Sequence, residues 1–165
     1  MLETDRKMSV LLNLAASNAQ LVGDKGLRYY ENPGHETYFS VPPGYGKNYY
    51  IPPPSIARFT FNVPKSDKYA IWAMIKSPTP DNQGYYVYDG KGRWLTWLAG
   101  IHSEWCWVRV TDSVLYTPLA FEFVKGINEF QMGWYDEDVK VDQILVTDDF
   151  DFVPIGPTAY TSHPA

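Results

Sequence analysis

The residues best suited to acid–base chemistry are the carboxylates of two short acidic clusters. One is Asp136-Glu137-Asp138, and the other comprises the three aspartates in residues 148–151. Two carboxylates that face each other across a cleft could hydrolyse a glycosidic bond, and several oxygens together could hold calcium. Adjacent carboxylates in a turn are more often solvated, however, and the second cluster lacks the glycine and distal glutamate of an EF-hand loop. We therefore interpret both clusters as surface turns.

The sequence lacks the motifs that usually mark nucleophilic or metal-dependent catalysis. The three histidines, His35, His102 and His163, fit no HExxH-like spacing, and the chain has no GxSxG motif or Gly-rich phosphate loop. The single cysteine, Cys106, lies between two tryptophans, and we interpret it as a buried thiol. One cysteine also excludes an internal disulfide and a multi-cysteine zinc site. The sequence therefore predicts that the chain is not an enzyme.

Aromatic side chains are the most unusual part of the composition. They make up 16% of the chain and include 13 tyrosines and 6 tryptophans. Both residue types combine a flat apolar face with a polar tip, so an excess of them indicates a recognition surface. The net charge of -5 argues against a nucleic-acid partner, which would require a basic patch. No apolar run reaches the length of about 18 residues needed to span a membrane, so no membrane contact is predicted.

The elements that position these side chains are predicted to be β-strands of one domain. In residues 58–63, apolar side chains alternate with polar ones, as in a strand with one buried face. Turn signals separate further short strands, a pattern typical of a β-sandwich or barrel. The further strands are predicted at 69–75, 84–88, 93–98, 105–111, 119–124, 127–133 and 140–147.

Two segments interrupt the strand pattern. Gly23 to Pro54 contains six tyrosines among several glycines and prolines, which predicts a long loop. This loop either contributes to a binding site, with Tyr30 as the predicted contact, or covers one end of the core. Residues 155–165 have no periodicity and are predicted to be a linker. We thus expect a domain over 1–154, joined to a further domain of a larger parent chain that carries the export signal.

Five segments, in order, resemble strands and turns of carbohydrate-binding modules of families 6 and 35. The first reads Ala-Arg-Phe-Thr-Phe-Asn-Val-Pro, followed by a turn and Tyr-Ala-Ile-Trp-Ala. The last reads Val-Asp-Gln-Ile-Leu-Val-Thr-Asp-Asp, similar to a closing L-D-x-I-x-I-T-D-D strand. Together they span somewhat over half of the chain. The segments are residues 57–73, 86–90, 105–110, 121–130 and 141–149.

The resemblance implies a fold, a place for the site and a metal. The fold is a jelly-roll β-sandwich of two antiparallel sheets, and the ligand site lies in the loops at one end. The family also has a structural calcium, held by a stretch that resembles E-A-E-x-A. Ala15 and Ser17 stand where its carboxylates belong, so no cofactor is predicted.

Successive strands joined by turns run in opposite directions, so every second connection lies at the same end of the sandwich. This hairpin parity places the candidate ligand contacts in the loops at the end that the resemblance implies. Trp105 lies at the mouth of its strand, near the place of the family's platform tryptophan. Lys140 stands where family 6 has a ligand-binding asparagine; it either binds an acidic sugar or is a solvated lysine. Sugar rings present a C–H face and a hydroxyl rim, which aromatic, amide and charged groups complement. The predicted ligand-binding residues are Tyr30, Asn82, Trp105, Tyr135, Glu137 and Lys140.

Three functions remain open on the sequence alone. The first is a non-catalytic module that attaches a secreted polysaccharide-degrading enzyme to its substrate, a polysaccharide or oligosaccharide that is acidic if Lys140 takes part. The second is a structural or adhesion domain whose aromatic patch contacts another domain or protein. The third is a small enzyme that uses the acidic turn. An aromatic cluster open at the loop end favours the first, whereas two facing carboxylates in a cleft favour the third.

Overall fold

Short strands form nearly all of the regular structure in the computed structural model, which describes residues 9–31, 37–80, 84–113, 116–157 and 160–164. Within these ranges the strands are β1 (Val10–Ala15), β2 (Gln20–Val22), β3 (Arg28–Tyr30), β4 (Tyr38–Ser40), β5 (Ile56–Val63), β6 (Asp67–Ser77), β7 (Gly84–Tyr88), β8 (Trp94–Leu98), β9 (His102–Arg109), β10 (Phe121–Phe123), β11 (Gly126–Trp134), β12 (Lys140–Thr147) and β13 (His163–Pro164). A 3-10 turn at Ala16–Asn18 follows β1. No helix in the described part of the chain is long and apolar enough to cross a bilayer.

The strands form two antiparallel sheets. The smaller sheet has the order β2-β5-β11-β7-β8. The larger sheet has the order β10-β6-β12-β1-β13; in addition, β9 pairs with β6, β4 with β12, and β3 with β4. The architecture confirms the prediction of an all-β jelly-roll sandwich. The ends of β7 and β12 match their predicted positions, whereas β1 and β2 were not predicted.

The core lies between the two sheets and follows the alternation of each strand. In β5, Phe59, Phe61 and Val63 are buried, as the sequence pattern predicted. Trp97 is fully buried, and its Nε1 donates a hydrogen bond to the backbone oxygen of Arg109 at 3.0 Å. Trp97 is therefore a core residue with its indole N–H satisfied.

A second apolar cluster covers the outer face of the larger sheet. It contains Leu11, Met74, Trp107 and Leu145, which alternate along their strands with residues of the main core. Trp107 is buried on this outer face rather than between the sheets. The sequence pattern does not indicate which face Trp107 occupies, because residues 105–108 are apolar on both faces of the strand.

The C-terminal segment packs on the same outer face. The Tyr160 ring lies 6.1 Å from the Trp107 ring and 5.4 Å from the Phe152 ring. Further along, β13 pairs with β1. The described part of the predicted linker thus contacts the sandwich, and its role as a connection to a further domain stays a prediction.

The Tyr-rich segment from Gly23 to Pro54 is not a continuous loop. It contains β3 and β4, which pair with each other, and β4 also pairs with β12 through Phe39 and Val141. Phe39 is fully buried and contacts the rings of Phe59 and Tyr85. The hairpin is therefore anchored in the core by Phe39, while its other side chains remain available at the surface.

Candidate functional site

The hairpin parity that the sequence suggested is confirmed by the strand registers. In the larger sheet, Ser77 pairs with His102 and Lys76 pairs with Lys140. In the smaller sheet, Trp134 pairs with Tyr85, and Gly84 with Leu98. The β6–β7, β8–β9 and β11–β12 connections and the segment that enters β5 therefore meet at one end, which we call the loop end.

Three aromatic rings meet at the loop end on the outer face of the larger sheet. Tyr30 and Tyr38 stack with ring centroids 5.2 Å apart and an interplanar angle of 18°. The Tyr38 ring also lies 5.8 Å from the Trp105 ring, tilted by 59°. All three side chains are partly exposed. We call Tyr30, Tyr38 and Trp105 the loop-end aromatic cluster.

The strand order explains how these rings come together. Trp105 lies on β9 and Tyr38 on β4, and β6 and β12 run between those two strands. The two side chains must therefore reach toward each other across the outer face. Lys76 and Lys140 are paired on the intervening strands, so both lysines lie on the stretch of sheet that the cluster spans.

Charged groups surround the cluster. The Lys140 Nζ lies 3.4 Å from the Asp138 carboxylate, and their side chains are 23% and 18% exposed. Arg28, in register with Ser40 of β4, donates a hydrogen bond from Nη2 to the Tyr45 hydroxyl at 3.2 Å. Two of the predicted contacts, Tyr30 and Trp105, are thus brought together by Tyr38. Lys140 lies on β12, one of the two strands between the strands of Trp105 and Tyr38.

The cluster tyrosines are neutral hydrogen-bond donors at physiological pH. Burial raises the pKa of Tyr38, and the charge of Asp138 raises it further. Burial also raises the pKa of Tyr30, with a smaller contribution from the neighbouring Tyr38. Both phenols can therefore donate hydrogen bonds while their ring faces stay apolar.

Tyr135 lies apart from this cluster, on the side of the smaller sheet. Its ring packs 5.1 Å from the Tyr86 ring and 6.3 Å from the Tyr49 ring. Tyr86 is nearly buried on the outer face of that sheet, whereas Tyr49 is 73% exposed. The structure thus places Tyr135 in a second group of rings, and its predicted role as a ligand contact stays a prediction.

Glu137 has a structural partner in the Tyr-rich segment. Its carboxylate accepts hydrogen bonds from the backbone N–H groups of Gly44 and Gly46, the latter at 3.1 Å. These bonds tie the Gly44–Gly46 turn to the β11–β12 connection. The predicted contact Asn82 lies outside the described residues.

The acidic turn does not form a catalytic pair. Asp136 is 2% exposed and accepts a hydrogen bond from the Glu137 backbone N–H at 3.2 Å. Glu137 holds the glycine turn, and Asp138 is paired with Lys140. Each carboxylate is therefore engaged locally, and this turn does not present two carboxylates facing each other across a cleft.

The residues present do not fit the structural calcium that the resemblance implies. Ala15 and Ser17 provide a methyl and a hydroxyl where carboxylates belong, and the described residues contain no group of three or more acidic, histidine or cysteine side chains suited to a metal. Asp148 instead lies 2.6 Å from the Lys65 Nζ and accepts a hydrogen bond from the Val10 N–H at 2.7 Å. A lysine and an amide thus occupy the oxygens that a metal would need.

The sequence reasoning missed Tyr38 and Asp138 as site residues. The sequence does contain a signal for Tyr38. If Tyr38-Phe39-Ser40 is a strand, Tyr38 and Ser40 lie on the face opposite the apolar Phe39. Asp138 has a φ of 56°, a conformation that aspartate adopts more readily than most residues. This backbone turn directs the chain into β12 next to Lys140, and the sequence pattern alone does not specify it.

Comparison with known proteins bears on the fold. No family model and no curated protein sequence matches the chain. Among solved structures, a family 35 carbohydrate-binding module from Clostridium thermocellum matches with a TM-score of 0.56 and 14% identity, over 82% of this chain and 96% of that chain. A family 6 module from Cellvibrio mixtus lichenase 5A, in complex with cellotriose, matches with a TM-score of 0.56 and 12% identity, over 85% and 98%.

A larger enzyme contains the same fold as one part. A β-(1,4)-mannanase from Podospora anserina that combines glycoside hydrolase family 26 with a family 35 module matches with a TM-score of 0.60 and 14% identity. The match covers 90% of this chain but only 29% of the mannanase chain. The chain described here has the jelly-roll β-sandwich fold of carbohydrate-binding modules of families 6 and 35.

Proposed function

We propose that this chain is a non-catalytic carbohydrate-binding module that attaches a larger, secreted polysaccharide-degrading enzyme to its substrate. The observation that carries the proposal is the loop-end aromatic cluster. Tyr30, Tyr38 and Trp105 present partly exposed rings at the end of a rigid sandwich. Partly exposed rings on fixed strands suit stacking against the C–H face of a sugar.

Two further observations support this function over catalysis. The carboxylates of the acidic turn are bound locally, as described above, and burial raises the pKa of Cys106, which keeps its thiol protonated. Of the similar solved structures, one is a module in complex with cellotriose and another is a mannanase with a family 35 module. The mannanase illustrates the proposed arrangement, in which a binding module is covalently joined to a catalytic domain.

The charges at the cluster favour an acidic glycan. Lys76 and Lys140 lie side by side on the sheet that the cluster spans, and Arg28 lies on the adjoining hairpin. Asp138 offsets part of this positive charge through its ion pair with Lys140. Lys140 stays 23% exposed beside Asp138, so Lys140, Lys76 and Arg28 together supply the cations that a carboxylate or sulfate group on the sugar would meet.

The function is tested by affinity electrophoresis through gels that contain single polysaccharides. We expect at least one of polygalacturonate, alginate, mannan, xylan or β-glucan to retard the chain, with a dissociation constant between about 1 μM and 1 mM. A shallow site with few buried hydrogen bonds gains little after the cost of ordering the ligand. Unretarded migration through all five gels would contradict the proposal.

Lys140→Ala tests the preference for an acidic glycan. We expect it to weaken titrated binding of hexagalacturonate by roughly two- to fivefold and to leave cellohexaose binding unchanged, because one exposed charge pair is worth about 1 kcal/mol or less. Binding of hexagalacturonate should also weaken as salt rises, since charges are screened over about 8–10 Å. The matched control is Lys91→Ala, which removes a 64% exposed lysine from the opposite end. Equal affinities of Lys140→Ala and the unmodified chain for hexagalacturonate would disprove the preference.

A further inference from the structure

Three consecutive large side chains project into solvent from the Tyr-rich segment. Tyr49 is 73% exposed, Tyr50 80% and Ile51 58%. Exposed apolar side chains are common singly, whereas contiguous ones mark interaction sites. None of the three belongs to the loop-end aromatic cluster.

The backbone under these side chains is held firmly by Asn48, which is 5% exposed. The Asn48 side chain accepts a hydrogen bond from the Tyr50 N–H at 3.1 Å and donates to the backbone oxygens of Tyr50 at 3.1 Å and Trp134 at 2.9 Å. Its backbone N–H donates to the Tyr135 oxygen at 2.8 Å, and its oxygen accepts from the Tyr86 hydroxyl at 3.0 Å. The exposed rings are therefore mounted on a preorganised support, which reduces the ordering cost of binding.

The exposed segment belongs to a stretch of chain that also contacts the β3–β4 hairpin. The Tyr45 ring lies 5.9 Å from the Trp134 ring, and the Tyr45 hydroxyl accepts the hydrogen bond from Arg28. Tyr49 contacts the smaller sheet instead, with its ring 6.3 Å from that of Tyr135. Tyr45 is itself 37% exposed. Between Tyr45 and Tyr50 the chain thus passes at the loop end from the hairpin to the side of the smaller sheet.

We infer that Tyr49 and Tyr50 form a second sugar contact, so that the module binds several consecutive units of a polysaccharide chain rather than a single sugar. This inference rests on the proposed function. The two contacts lie toward the outer faces of the two sheets, and packed sheets are about 10 Å apart. One monosaccharide therefore cannot reach both contacts, whereas a chain of several units can.

The chemistry of the segment favours a glycan chain over a protein partner. Two of the three exposed side chains are tyrosines, which offer both a ring face and a hydroxyl to a sugar. A stable protein interface buries about 800 Å² on each partner around an apolar centre, which is much more than three side chains at a loop tip. Both contacts also lie at the loop end, so a linear polymer can extend from one to the other.

Chain-length dependence of binding tests the inference. The probes are digalacturonate, hexagalacturonate, cellobiose and cellohexaose, titrated into the unmodified chain and the double variant Tyr49→Ala/Tyr50→Ala. We expect the unmodified chain to bind a hexasaccharide at least about tenfold more tightly than the disaccharide of the same series, because the second contact becomes intramolecular. The double variant should lose roughly tenfold for the hexasaccharide and less than about twofold for the disaccharide.

The control is Tyr116→Ala, which removes a 63% exposed tyrosine from the β9–β10 connection and should leave all four affinities unchanged. The double variant should keep the melting temperature of the unmodified chain, since both side chains are exposed. An unchanged hexasaccharide affinity in the double variant would overturn the inference. Equal losses for both lengths would also overturn it, while the proposed function would stand. Absence of binding to all four probes by the unmodified chain would overturn the inference, and it would overturn the proposed function as well if all five gels also failed to retard the chain.

Discussion

Replacement of Trp107 by alanine is expected to lower the free energy of unfolding by about 3–5 kcal/mol. Trp107 is 8% exposed and packs with Leu11, Met74 and Leu145 on the outer face of the larger sheet, beneath the Tyr160 ring. Removal of the indole leaves a cavity between β9 and the C-terminal segment, which the rigid sheet can fill only in part. Since domains are stable by about 5–15 kcal/mol, the variant should unfold at much lower denaturant concentration.

The measurement for Trp107→Ala is equilibrium unfolding in urea, followed by tryptophan fluorescence and by circular dichroism. Trp107→Phe should recover most of the stability, because the aromatic ring still fills most of the cavity. A loss below about 1 kcal/mol in Trp107→Ala would show that the C-terminal segment does not pack on this face in solution. Such a result would leave the main core between the sheets unaffected.

Replacement of Trp105 by alanine is expected to weaken sugar binding by about 1–3 kcal/mol, the range for aromatic contacts at binding sites. This corresponds to a loss of affinity of roughly five- to 150-fold. Trp105 shares its strand and face with Trp107 but lies at the loop end, where its ring meets that of Tyr38. Its removal should therefore affect the ligand much more than the stability of the fold.

Trp94→Ala is the matched control for Trp105→Ala. Trp94 is also a partly exposed strand tryptophan that packs on a tyrosine, with its ring 5.1 Å from that of Tyr88. It lies on the smaller sheet, away from the loop-end aromatic cluster, so its removal should leave disaccharide affinity within about twofold of the unmodified value. Equal losses of melting temperature in Trp105→Ala and Trp107→Ala would contradict the division between site and packing residues.

Local sequence patterns predicted the central strands because each has a strong signal of its own. The alternation of Phe59, Phe61 and Val63 and the turn before β6 are sufficient to define β5 and its C-terminal end. The short strands β3 and β4 carry no comparable signal, since glycines and prolines surround them and their stability comes from tertiary contacts. The burial of Phe39 against Phe59 and Tyr85 is such a contact, and it is not apparent from residues 23–54 alone.

Parity of the hairpins predicted which loops share one end of the sandwich, as the strand registers show, but not the partners of each side chain. Trp105 and Tyr30 belong to one cluster because Tyr38 connects them, whereas Tyr135 packs with Tyr49 on the opposite side. Glu137 was predicted as a ligand contact, and its carboxylate is bound to two backbone N–H groups. Whether a side chain contacts a ligand or the protein's own backbone depends on loop conformation, which sequence spacing does not determine.

The most direct test of a sugar site at the loop end is a nuclear magnetic resonance titration of the indole N–H signals with hexagalacturonate and cellohexaose. The 6 tryptophans of the chain provide separate reporters of location. We expect the Trp105 signal to shift with added ligand, while the Trp97 signal stays fixed, because its indole is buried and donates to the Arg109 oxygen. A titration in which no indole shifts, or in which only that of Trp94 on the smaller sheet shifts, would contradict the account.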